Sequence, residues 1–301
     1  MDYPAKILLF GEYGIILGSM ALAIPYPRYS GHFCLPGTLA DHPSKVDAES
    51  NRELKKLYFF FKSDAAKFQF LNLKRIEDDV NQGLYFSSTV PLGAGLGSSG
   101  ALTAAIYERY LIGSQPNEYC KIKSDLAAIE SCFHGKSSGF DPLISMLKKP
   151  VIVLGPDTVN TTVDLSPFLK TYTIYLIDSK SRGNTGAMVN FFMDKYLEPG
   201  FREKIDHEYI PLINKTIRAV TAPDFESFDR LISAYSTFQL SHFEAMIPDR
   251  MQQFFKYGIE SNDFYLKLCG SGGGGYILGF ARDSSLAEAY FNLNHLGWTV
   301  V

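Results

Sequence analysis

Surplus basic charge, long apolar runs and paired cysteines are what this 301-residue chain has little of. Lys and Arg total 29 against 32 Asp and Glu, and a net charge of -3 gives no general attraction to nucleic acid or to an anionic membrane. Charged residues make up 20% and apolar residues 46%, a balance that excludes disorder, collagen and a coiled coil. No apolar run reaches the roughly 18 residues of a membrane-spanning helix. Cys34, Cys120, Cys132 and Cys269 are scattered without a CxxC pair, the usage of reduced thiols rather than of a disulfide framework or metal site. The opening MDYPAKILLF begins directly on a strand-like run, without the features of a secretory signal. A cytoplasmic protein of about two domains is the expectation.

Glycine is what stands out. There are 25, with two dense clusters, Pro91–Gly100 (PLGAGLGSSG) and Lys267–Gly275 (KLCGSGGGG). Around them the periodicity predicts a strand at Lys6–Gly11, strands between Lys67 and Val90 broken by a helix near Lys74–Gln82, and helices near Ala48–Phe61, Ala101–Leu111, Ser124–Phe133 and Leu143–Lys148. Asp141 reads as the N-cap of the last of these, with Pro142 at its first position. Strands follow at Val151–Leu154 and Tyr172–Ile177, helices over 184–197, 210–220, 225–244, 248–260 and 285–293, and strands at Tyr276–Phe280 and Trp298–Val301. The turn-rich Pro156–Pro167 suggests a boundary, dividing residues 1–160 from 161–301.

The first cluster has the chemistry of a phosphate cradle. Neighbouring glycines let backbone N–H groups converge on an anion, and a helix starting at the cluster's end adds its free N–H groups and positive dipole end. A Ser98 or Ser99 hydroxyl can also ligate the Mg²⁺ that accompanies a nucleotide. A P-loop is excluded, because no Lys follows the relevant glycine. The pattern GxGxxG fits formally at Gly95, Gly97 and Gly100, yet Pro91 interrupts the strand that a dinucleotide fold requires there. A close-packed glycine turn is the plain structural alternative.

PLGAGLGSSGAL resembles the phosphate-binding motif of the GHMP kinase superfamily. PAKILLFGEYGIILG resembles its first motif, with Lys6, Gly11 and Glu12 in place, and KLCGSGGGGYILGF resembles its third. Within the superfamily, the segment from Glu130 to Asp141 and the segment DSKSRGNTGAMV (178–189) resemble those of mevalonate kinases. Three differences stand beside this. Tyr13 follows Gly11-Glu12 where a histidine is usual, an arginine is displaced to Arg182, and residues 28–80 align with nothing.

The resemblance implies an α+β fold: an N-terminal domain like ribosomal protein S5 domain 2 and a C-terminal ferredoxin-like domain. It implies ATP as donor, Mg²⁺ as cofactor, and mevalonate, or another small acceptor such as phosphomevalonate or a sugar, as substrate. Gly93, Ala94, Gly95, Leu96, Gly97, Ser98 and Ser99 would cradle the phosphates, and Ser99 and Glu130 would hold the metal. Asp141, Lys6 and Thr185 would be catalytic, with Ser181 and Arg182 nearby. Glu12, Tyr13 and Gly273 would meet the acceptor. Each has a plainer reading: a solvated helix charge for Glu130, an N-cap for Asp141, an edge charge for Lys6, a helix-end hydroxyl for Thr185, packing for Tyr13. His134 reads as a helix C-terminal dipole partner and Cys269 as a small filler. No nucleic-acid or membrane partner is expected, and the protein would be a monomer or homodimer. A non-catalytic sensor on the same fold would be expected to lose Lys6, Glu130 or Asp141, which all persist here.

Overall fold

The structure is a computed structural model that describes residues 1–37, 45–135, 137–155, 158–222 and 224–301, apart from the side chains of 45–47 and 134. The expectation for the His134 ring and the start of the turn-rich stretch at Pro156 lie outside the described residues. Two compact units alternate along the chain. The first holds Met1–Lys6, Pro25–Pro91 and Gly97–Lys149, and the second Ile7–Ile24, Leu92–Leu96 and Pro150–Val301. Helices and antiparallel strand pairs are mixed throughout, an α+β fold.

In the first unit, β1 (Tyr3–Phe10) begins and the outer part of β2 (Ala21–Cys34) pairs antiparallel with β3 (Tyr85–Ser88), Gly31 facing Ser88 and Cys34 facing Tyr85. Between them lie α1 (Lys45–Ser63) and α2 (Leu73–Asn81), and Asn72 caps the latter by accepting from the Arg75 amide at 3.0 Å. Three further helices, α3 (Ser98–Tyr110), α4 (Tyr119–His134) and α5 (Phe140–Leu147), pack on one another. Phe61, Phe68, Tyr107, Ile129, Phe140 and Leu143 are buried in the core of this unit. Residues 67–72, the first part of the Lys67–Val90 stretch expected to alternate as strand, form turns and a single bridge from Leu71 to Leu111. Phe68 there is fully buried against Phe61 of α1 at 4.8 Å, with Phe60 edge-on at 5.8 Å, an aromatic cluster in place of a two-faced strand.

The second unit takes up the chain from Ile7, and here Ala21–Ala23 of β2 pair with β4 (Val151–Gly155), which turns back into β5 (Thr158–Asn160). After α6 (Ser166–Thr171) comes β6 (Thr173–Asp178), then α7 (Thr185–Tyr196), α8 (Pro199–Lys204), a π-helical turn at 205–209, α9 (Ile210–Thr221), α10 (Phe225–His242) and α11 (Asp249–Ser261). The last elements are β7 (Tyr265–Leu268), β8 (Tyr276–Ala281), α12 (Ser284–Leu293) and β9 (Gly297–Val300). Four of these strands form an antiparallel sheet in the order β7-β8-β6-β9. Phe10, Phe228, Tyr235 and Phe280 stack in its core at 5.4–6.1 Å. No helix among the described residues is long and apolar enough to cross a membrane.

Candidate active site

Every residue of β1 is buried, and Lys6 is the one cation in it. An ammonium at 3% exposure needs a partner, and it has one: Nζ lies 2.9 Å from Oδ2 of Asp141. Asp141 stands in the first turn of α5, where free N–H groups and the dipole favour a carboxylate. It is not the N-cap that Asp-Pro suggests. Gly139 takes that position at φ +69°, and a Cβ there would collide with the Lys123 carbonyl oxygen. The Asp141 side chain is thereby free to turn to Lys6.

The glycines at the start of α3 make this approach possible. Gly97, left-handed at φ +74°, caps the helix, and a Cβ on it would sit 2.9 Å from Cγ of Lys6. One on Gly100 would sit 3.0 Å from the backbone at Asp141 and Pro142. The helix N-terminus is thus laid against both members of the ion pair. Ser98 and Ser99 are partly exposed there, while Leu96 turns inward at 1% exposure.

Beside the pair lies a second carboxylate. Glu130 of α4, 5% exposed, accepts from Ser99 Oγ at 3.2 Å and from the Ser137 hydroxyl. Burial, and next the nearby Asp141 charge, push its carboxyl up to about 7, against the pull of both hydroxyls and Lys6. Ser137 also accepts from the Gly139 amide at 2.9 Å, so it ties Glu130 to the turn that launches α5. No motif position singles out Ser137, although it lies between Glu130 and Asp141.

The remaining expected residues are gathered in the second unit around residues 269–275. The Gly183 amide donates to the Gly93 carbonyl (3.2 Å) and the Tyr276 amide to that of Ala94 (3.3 Å). A Cβ on Gly95 would run into the Cys269 carbonyl oxygen. Thr185 opens α7 behind the N-cap Asn184, and its hydroxyl accepts from Ser271 Oγ at 3.3 Å. The Gly273 amide donates to Met246 O at 2.6 Å, and a Cβ there would press on the Met188 sulfur at 2.8 Å. The Ser181 carbonyl accepts from Gly275 (2.7 Å).

Glu12 and Tyr13, expected at the acceptor, are turned inward. Glu12 is 1% exposed, with one carboxylate oxygen on Lys267 and the other accepting from Tyr235 at 2.7 Å. Tyr13, 4% exposed, stacks on Phe192 at 4.4 Å and donates to the Ser271 carbonyl. Lys267 and Tyr235 were not foreseen. The available signal was a lone cation in the apolar strand Tyr265–Leu268.

Part of this site falls in a stretch that a protein-family model matches. Residues 64–149 match the family model for the GHMP kinases N terminal domain. The matched stretch is 86 of the 301 residues. It contains Gly93–Ser99, Glu130 and Asp141. The mevalonate kinase of Thermococcus gammatolerans is 32% identical over 167 residues, 48% of each chain. The chain thus spans about half the length of the Thermococcus relatives it matches. The mevalonate kinase of Dictyostelium discoideum is 22% identical over 96% of this chain and 89% of its own. Among solved structures, L. major mevalonate kinase in complex with R-mevalonate superposes with a TM-score of 0.64 at 16% identity, covering 97% of this chain and 89% of that one. At that identity the likeness concerns the fold, and the α+β architecture is that of GHMP kinase structures.

Proposed function

We propose that the chain is an ATP-dependent small-molecule kinase acting on the primary hydroxyl of mevalonate. The observation that carries this is the Lys6–Asp141 ion pair at the adjoining N-termini of α3 and α5. Phosphoryl transfer needs little covalent chemistry from a protein: charge neutralisation, in-line positioning and a place for one proton. Backbone N–H groups of Gly93–Ser99 and the start of α3 would hold the ATP phosphates. Asp141 would accept the acceptor's hydroxyl proton as the oxygen attacks the γ-phosphorus and ADP departs. Lys6 would offset charge building on that oxygen. Thr185, with Ser181 and Arg182 nearby, would assist, and Gly273 would keep its loop close to the acceptor.

The residues also fit Mg²⁺. Glu130 and the nearby Asp141 are two carboxylates beside one lysine, and burial, then the Asp141 charge, holds the Glu130 carboxyl near 7, a setting that favours a bound cation. No cage of three His, Cys, Asp or Glu exists among the described residues, as suits an ion that keeps most ligands from water and phosphate. Ser99 and Glu130 would hold it, and it would supply neutralisation of the phosphate charge.

A phosphorylated acceptor calls for a further basic cluster. Of the candidates Arg28, Lys180 and Arg182, Lys180 is paired to Asp178 at 2.9 Å, which favours mevalonate over phosphomevalonate. The same reading makes the protein a cytoplasmic monomer or homodimer, with nucleotide binding in residues 1–160 and the C-terminal domain in 161–301. ADP release with ATP·Mg²⁺ and mevalonate, phosphomevalonate, homoserine or galactose tests it. Turnover is expected with mevalonate. No turnover of mevalonate refutes the substrate, and undiminished turnover by Asp141→Asn refutes the mechanism.

A further inference from the structure

Lys267 and Glu12 form an ion pair with both side chains at 0% exposure. Such a pair is a poor device for stability, because apolar residues of similar volume commonly replace it without loss. Its surroundings show what else it does. The Leu268 amide donates to Gln239 Oε1 at 2.8 Å. That fixes the Gln239 amide, whose Nε2 donates to the Tyr209 hydroxyl at 3.0 Å. Tyr209 in turn meets the Tyr235 hydroxyl at 3.2 Å, and Tyr235 meets Glu12 Oε2 at 2.7 Å. A carboxylate only accepts, so every hydrogen in the chain has one direction. Lys267 Nζ closes the circuit by donating both to Glu12 and, at 2.6 Å, to the Leu268 carbonyl. The ring therefore begins and ends on the two peptide groups of Leu268, and Gln239, Tyr209 and Tyr235 are all at 0% exposure.

Leu268 is the last residue of β7, and Cys269 follows it. The Cys269 carbonyl is the atom that leaves Gly95 no room for a Cβ. A shift of Leu268 is transmitted through one peptide to the first half of the phosphate loop, Gly93–Leu96. We propose that Lys267, Glu12 and Tyr235 are positioning residues that set the height of the 269–275 loop and so the spacing of the backbone N–H groups at 93–96. The proposal rests on the reading of 93–99 as the phosphate cradle. It moves Glu12 from the acceptor to the support of the donor, and it gives Lys267 its role.

Two variants test it. Tyr235→Phe is isosteric and opens the ring at one hydroxyl, and the double variant Glu12→Gln/Lys267→Met removes the ion pair without leaving a lone buried charge. Hydrogen–deuterium exchange is measured in the free protein over 92–96 and 268–276, with β6 as an internal reference, beside the Kd for ATP and the kcat and KM. In the folded variants, exchange in both segments should rise about tenfold relative to β6, and ATP affinity should fall about tenfold. kcat should fall by up to about 100-fold, the known scale for misplacement near 1 Å, with acceptor KM little changed. A uniform rise in exchange that tracks global stability, or unchanged exchange in both segments, overturns the proposal. Should the double variant not fold, Tyr235→Phe decides alone. Exchange and ATP binding need no turnover, so an inactive wild type would refute the kinase reading and leave this test standing.

Discussion

Lys6 and Asp141 meet at 2.9 Å with the ammonium side chain 4% exposed and the carboxylate 35% exposed. The asymmetry is what a proton acceptor requires: its counter-ion is fixed inside, while its own oxygens stay reachable. Asp141→Asn keeps shape and removes the basic oxygen. Its kcat should fall by about 10²–10⁴, with a melting temperature near that of the wild type. Lys6→Met leaves Asp141 able to reach water and should cost about 10²–10³ in kcat. Initial rates of ADP release and thermal melts of both variants check this, and a variant retaining a tenth of wild-type kcat would remove its residue from the chemistry.

Glu130 predicts a pH dependence in the magnesium-free protein. Its folded pKa of about 7 lies above the ordinary glutamate value of 4.5, so between those values the native state binds more protons than the unfolded state. Stability therefore falls as pH rises through that window and levels off above it. The Glu130 contribution is on the order of 3 kcal/mol. Urea unfolding at pH 5 and pH 7.5 should show the drop, and Glu130→Gln should lack it. Mg²⁺ at pH 7.5 should restore part of the stability, because it binds the ionised form.

Much of this site was legible in the sequence because its signals are local. Glycines at 93, 95, 97 and 100 need specific backbone angles or close approach, and the helix that follows them is written in its own side chains. For Asp141 only the capping role fails, since the cap belongs to Gly139 two residues earlier. The long-range partners were hidden. A lysine at 267 reads the same in a sequence whether it faces water or a glutamate 255 residues away. The same holds for Tyr235, and for Glu12, whose place in a known motif suggested an acceptor contact. Alternation failed over 67–72, where the packing of Phe68 on Phe61 outweighed the strand pattern.

Two glycines with the same backbone angle separate strain from collision. Gly95 and Gly113 stand at φ +79° and +80°, yet a Cβ on Gly113 would meet nothing within 4 Å, whereas one on Gly95 would strike the Cys269 carbonyl. Gly113→Ala should cost only the left-handed penalty of about 1–2 kcal/mol and leave ATP binding intact. Gly95→Ala adds a backbone-on-backbone clash that no rotamer relieves. Its melting temperature should fall further, and its ATP affinity should drop at least about tenfold, since small misplacement in such a cradle is costly. Equal behaviour of the two variants in ATP titrations would show that the stacking on Cys269 is immaterial.

Tyr13 decides how far the acceptor side depends on this position. It carries φ +60°, a conformation rare for an aromatic residue and worth about 1–3 kcal/mol of local strain. The compensation visible around it is the stack on Phe192, the edge contact with Phe243 at 5.4 Å and the hydroxyl bond to Ser271. Tyr13→Phe keeps both ring contacts and deletes the bond, which should cost about 1 kcal/mol and lower the melting temperature by about 2–4 °C. Tyr13→Ala forfeits the rings as well and should cost about 3–5 kcal/mol. Because the hydroxyl is committed to Ser271, the acceptor KM of Tyr13→Phe should stay within about threefold of wild type, well short of the loss expected when a bond to substrate is removed. A tenfold rise in that KM with an unchanged melting temperature would place the hydroxyl on the acceptor instead.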